Sequence, residues 1–96
     1  MRPSEALELH REEIRRIVLE NRSTNPRVFG SVLHGDDTES SDLDLLIDPM
    51  PDTSLMDMAS IQIQLQDILG ISVDVLTPLS LPISFRGRVV AEAQPV

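Results

Sequence analysis

The chain has 96 residues, a net charge of −8, 41% hydrophobic residues, two Phe, no Trp or Tyr and no Cys; it is read as one domain, residues 1–96, with a modest core of Leu, Ile, Val and Met. The acidity excludes a direct grip on a nucleic-acid backbone, which needs Lys and Arg to neutralise phosphates, and the lack of Cys excludes a disulfide framework or a thiolate metal site. No apolar run approaches the ~20 residues that span a bilayer, and an N-terminus that reaches Glu5 and Glu8 at once lacks a signal-peptide core, so no membrane contact and a cytoplasmic location are expected.

The first element is an amphipathic helix from Ser4 to about Asn21, with Leu7, Ile14, Ile17 and Val18 on one face. Asn25-Pro26 breaks the chain, and Arg27-Val28-Phe29 is a short strand that ends at Gly30. Gly30 to Ser41 is a loop with room for one helical turn. Leu43 to Ile47 is apolar except for Asp44 and looks like a buried strand, closed by Pro49 and Pro51. A second long helix is expected from Thr53 to Leu69, stopped by Gly70. Its apolar stripe is read as Leu55, Met58, Ala59, Leu65, Ile68 and Leu69, with Met56 and Met58 as gap-filling core. Ile71 to Leu76 is a further strand, again with one carboxylate, Asp74. Pro82 to Ala93 is expected to form a final short helix over the sheet. The order α-β-β-α-β-α predicts an α/β (α+β) fold, a small mixed sheet with helices packed on it. The crossover from Leu43 to Leu76 predicts two parallel strands.

Side chains of a strand alternate between faces, so Asp42 and Asp44 should project together while Leu43 and Leu45 enter the core. If the strand carrying Asp74 lies beside them, a third carboxylate joins, and like charges that close need a cation between them. Hard oxygen ligands suit Mg²⁺ or Mn²⁺, completed by water and substrate phosphate. Upstream, Gly30-Ser31 leads into a helical turn and would offer free N–H groups and a hydroxyl to an anion such as a triphosphate. The two halves suit one ligand, a metal-bound nucleotide. Asp36, Asp37 and Glu39 read as a solvated loop that lacks the EF-hand register, His10 as an exposed helix residue, and Arg86 and Arg88 as makers of surface salt links.

Gly30-Ser31, ten residues, then Asp42-Leu43-Asp44 resembles the signature of the polymerase-β-like nucleotidyltransferases. With Val73-Asp74-Val75 downstream, the chain looks like their minimal nucleotidyltransferase (MNT) group. The resemblance covers nearly the whole chain in element order. In that group the signature commonly continues Gly-Ser-x-Ala-Arg-Gly; here Leu33 and His34 replace Ala and Arg, so His34 is expected to donate a hydrogen bond to the nucleotide where a guanidinium would stand. The resemblance implies that Asp42 and Asp44 bind two metal ions, Mg²⁺ or Mn²⁺, that carry the nucleotide triphosphate. It implies also that Asp74 completes the second metal and helps deprotonate the acceptor hydroxyl, with Gly30, Ser31 and His34 binding the nucleotide.

MNT proteins commonly act as antitoxins beside a HEPN-domain ribonuclease toxin, some by transferring AMP from ATP to a toxin side chain, usually tyrosine. The resemblance therefore implies a protein adenylyltransferase with a cognate HEPN toxin as partner, in a homo- or hetero-oligomer. The short chain holds no acceptor-binding domain, so another molecule is expected to present the acceptor. Two alternatives stay open: an antitoxin that inhibits by contact alone, and a nucleotidyltransferase acting on a small molecule.

Overall fold

In the computed structural model, which describes residues 1–96, the apolar periodicity becomes five helices around a four-stranded mixed sheet. Helix α1 spans Pro3–Leu9 and α2 Arg11–Glu20; strand β1 is Ser23–Phe29, α3 Gly30–His34, β2 Leu43–Pro49, α4 Leu55–Leu69, β3 Val73–Leu76, α5 Ile83–Glu92 and β4 Gln94–Pro95. A 3-10 turn, Pro78–Ser80, links β3 to α5. The sheet order is β3-β2-β1-β4, with β2 and β3 parallel and the other pairs antiparallel. The β2-α4-β3 crossover thus forms as its sequence pattern implies. No helix is long and apolar enough to cross a membrane.

Alternation along β2 and β3 divides the sheet into two unlike faces. Leu43, Leu45, Ile47, Val73 and Val75 enter the main core with Ala6 and Leu7 of α1, Ile14, Ile17 and Val18 of α2, and Ile61, Leu65 and Leu69 of α4. The reverse face carries Asp44, Leu46, Asp48, Asp74 and Leu76, and only a small cluster of Leu46, Leu81 and Ala93, flanked by Phe29 and Val89, covers it. One sheet face is therefore closed by three helices and the other is left largely open at its carboxylate end.

Four local details differ from the sequence reading. The long first helix is broken at His10, whose Nδ1 lies 2.7 Å from the Glu13 carboxylate; no Pro or Gly marks that break. Asp37 is not solvated: it is buried and accepts the Ser4 N–H at 2.9 Å, a tertiary contact that ties the loop to the start of α1. That bond holds its carboxyl below the usual range. On α4 the buried stripe is Ile61, Leu65 and Leu69, while Leu55 and Met56 at its start are exposed. The helix begins later than expected, at a Ser54 N-cap with Asp57 reciprocating, and ends at Gly70 with φ 69°. Finally, β1 starts at Ser23 rather than Arg27, because Asn25 at φ 53° absorbs an irregularity between Thr24 and Arg27 and lets the strand continue past Pro26.

Arg27 and Asp48 hold that irregular stretch. The buried Arg27 guanidinium donates twice to Asp48, at 2.9 and 3.1 Å, and once to the Asn25 carbonyl, while Asn25 Nδ2 also donates to Asp48. The guanidinium in turn lowers the Asp48 pKa. Removing one partner of such a pair strands a charge, at a cost of ~3–5 kcal/mol when both are fully buried. Because Asp48 remains partly exposed, Asp48→Ala should destabilise by about 2 kcal/mol in urea unfolding. Arg27→Met combined with Asp48→Ala should recover much of that loss; a double variant no more stable than Asp48→Ala would contradict a stranded charge as the cause.

Candidate active site

Parallel pairing of β2 with β3 sets Asp44 directly beside Asp74, and Leu43, Leu45, Val73 and Val75 on either side of them are buried on the other face. Burial of those neighbours fixes which way both acids point, since a one-residue slip would send every side chain to the opposite face. Asp74 is exposed and Asp44 half-buried, at the junction between open face and sheet. Asp42 is exposed and lies one residue before the strand. It also borders a polar crevice of about 410 Å³ with Ser41 and Ser72.

Desolvation is the largest influence on Asp44, followed by the charges of Asp74 and Asp42 and hydrogen bonding with Asp74; together they push its pKa up to about 6. Three of the sequence-predicted residues thus share one electrostatic field. They do not close round a single point: no three His, Cys, Asp or Glu side chains are gathered at metal-holding distance. That open donor set fits a hard cation such as Mg²⁺, which is held by one or two carboxylates and completes its shell with water and substrate phosphate. Asp42 and Asp44 could supply the first ligands, with Asp74 beside Asp44 completing the set.

Gly30 follows β1 at the entrance to α3, with φ 73°. A Cβ built there would lie 2.2 Å from Asp44 Oδ2, so only glycine permits this backbone to press against the carboxylate. Position 30 therefore serves the Asp44 geometry as well as the turn, which sequence spacing alone did not reveal. Ser31 is half-buried in the first turn of α3. His34, at the end of α3, has Nε2 3.5 Å from a Glu92 carboxylate oxygen on α5.

Between α3 and α5 lies a cavity of about 330 Å³, lined by Gly30, Leu33 and His34 on one side and by Phe85, Arg88 and Glu92 on the other. Phe29 also borders it, so both aromatic residues of the chain meet here. This wall was missed from sequence; the spacing 85, 88, 92 on one helical face was the available signal. The expected surface salt links of Arg86 and Arg88 do not form. Arg86 donates instead to the carbonyls of Leu79 and Leu81, at 3.1 and 2.8 Å, and fastens the turn before α5.

Likenesses to known proteins bear on this arrangement. A family model described as polymerase beta, nucleotidyltransferase matches residues 12–96. A Methanocaldococcus jannaschii protein provisionally named a protein adenylyltransferase is 32% identical over 77 residues, 80% of this chain and 83% of that one. A solved structure described as a minimal nucleotidyltransferase superposes with a TM-score of 0.87 at 34% identity, covering 97% of this chain and 95% of that one. A chain in a toxin–antitoxin crystal structure with AMP-PNP shares the fold at a TM-score of 0.73 and 19% identity, over 88% of this chain and 69% of that one.

Two outcomes test the geometry. The raised pKa means that Asp44 favours folding fully below the ordinary carboxylate value of 3.8 and loses that contribution as pH rises through about 6. In chelator, the melting temperature of Asp44→Asn should therefore gain on wild type between pH 4 and pH 7, and Mg²⁺ should narrow the gap; a gap that does not change with pH would refute the shift. Gly30→Ala should displace the Asp44 carboxylate and destabilise the fold by about 1–3 kcal/mol, since φ 73° and the Cβ contact both oppose it. Urea unfolding reads that loss.

Proposed function

The chain belongs to the polymerase beta nucleotidyltransferase family, in its minimal nucleotidyltransferase group, and from that premise we propose that it transfers AMP from ATP to a hydroxyl of a partner protein. The observation that carries this reading is the register of Asp44 with Asp74 on the open face, pressed against the Gly30 turn and within the field of Asp42. The provisional name of the M. jannaschii relative supports protein as the acceptor class. The MNT resemblance points further to a HEPN-domain toxin as partner and a tyrosine hydroxyl as acceptor.

In this reading Asp42 and Asp44 would hold divalent cations through their carboxylate oxygens, and Gly30 and Ser31 would receive the phosphates. Bound Mg²⁺ would neutralise the triphosphate and acidify the acceptor hydroxyl. Asp74, exposed at the edge strand, completes the donor set and takes the acceptor proton. The acceptor oxygen then bonds to the α-phosphorus as the α–β bridging bond breaks, and pyrophosphate leaves with that electron pair. The protein contributes position and charge rather than a covalent intermediate. The Asp44 carboxylate must be ionised to hold a cation, so at sub-saturating Mg²⁺ initial rates should rise with pH through about 6, and saturating Mg²⁺ should move that rise to lower pH.

His34 at the position of the family's Arg favours one alternative, inhibition of the partner by contact alone. Incubating the chain with Mg²⁺, ATP and its cognate HEPN-domain partner should add AMP to the partner in intact-mass spectra. Asp42→Asn with Asp44→Asn should abolish the addition and, in cells, the neutralisation of the partner. An unmodified partner with both proteins folded, together with neutralisation that survives the double substitution, would establish contact inhibition instead.

A further inference from the structure

The chain has eight Arg and no Lys, so every fixed side-chain cation is a guanidinium. Arg2, Arg11, Arg16, Arg22 and Arg27 pair with carboxylates. Arg15 and Arg86 are committed to backbone carbonyls. Arg88 alone has neither an ion pair nor a hydrogen bond. It is exposed on α5 and lines the cavity that Gly30 and His34 border from the other side. Its neighbour one turn on, Glu92, would be the ordinary i,i+4 partner but stands opposite His34 instead.

Glu92 is the one acid that lines this cavity, and its contact engages the His34 ring, while the Asp44 carboxylate stands just beyond, against Gly30. A triphosphate entering beside Gly30 therefore needs a fixed positive group in addition to any metal ions, and a guanidinium meets phosphate oxygens in a two-pronged geometry. We propose that Arg88, reaching from α5 across the cavity, is the cation that clamps the triphosphate of the nucleotide, the role that His34 leaves unfilled on α3. This rests on the nucleotidyl-transfer reading above and adds α5 to the site as a positioning wall.

The test is calorimetric titration of the full chain with Mg²⁺-ATP and, separately, with adenosine. Arg88→Ala should weaken ATP about tenfold or more, Arg88→Lys should retain part of the affinity, and adenosine binding should be the same in all three proteins. The wild-type affinity for ATP should also fall more steeply with added salt than that of Arg88→Ala. Because Arg88 is exposed and makes no ion pair or hydrogen bond in the fold, the melting temperature should not move; if Arg88→Ala does melt lower, Arg88→Gln, which keeps the stem, replaces it in the same titrations. Equal ATP affinity in wild type and variant overturns the clamp and leaves the nucleotidyl-transfer reading standing. An equal loss for adenosine assigns Arg88 to the base and also overturns the clamp. A wild-type chain that binds no ATP with Mg²⁺ overturns the functional reading and the clamp together.

Discussion

The pairing of β2 with β3 places two carboxylates, Asp44 and Asp74, side by side on one sheet face. Such a contact opposes folding, and the rest of the domain is arranged so that it is tolerated. On the reverse side the same two strands bury Leu43, Leu45, Ile47, Val73 and Val75 under three helices. At roughly 1.5–3 kcal/mol for each large apolar side chain removed from water, that face outweighs the repulsion on the other. The register cannot relax to separate the acids without exposing the apolar set, because faces alternate with a period of two. The cost shows in Asp44, whose pKa is pushed up to about 6.

Gly30 joins this carboxylate pair to the start of α3. Its positive φ carries the chain from β1 into α3 while its missing Cβ leaves space for Asp44 Oδ2. The glycine turn and the Asp44 carboxylate are thereby brought together at one point, with no side chain between them. In a site for a metal-bound nucleotide, that close approach lets one ligand answer both halves: cation to carboxylate, phosphate to turn.

Much of this could be read along the chain. The lone acids in two apolar strands, the Gly30-Ser31 spacing and the crossover helix between Ser54 and Gly70 are local signals, and the structure forms each of them. Other features depend on which surfaces meet. Asp37 looks like one of several loop acids until its carboxylate meets the Ser4 N–H, a contact 33 residues away. Leu55 and Met56 lie on or near the expected apolar stripe but sit in the first turn of α4 and stay exposed, the fully buried stripe beginning at Ile61. Residues 94–95 carry no strand signal and become β4 only because β1 offers an unpaired edge at Arg27 and Val28.

The sequence alone determined the carboxylates and the shared face of the first two, because strand alternation and spacing are properties of the local backbone; strand pairing brought the third beside them. Asp42 and Asp44 share a face, and Asp74 waits on the strand after the crossover. What only the tertiary structure decided is how these acids meet their surroundings. Long-range packing put Gly30 against Asp44, left the three acids short of a closed metal cage, turned Glu92 toward His34 and left Arg88 unpaired beside the site. Those outcomes depend on the distances between separate elements, which are set by how the core fills and not by any periodicity within one of them.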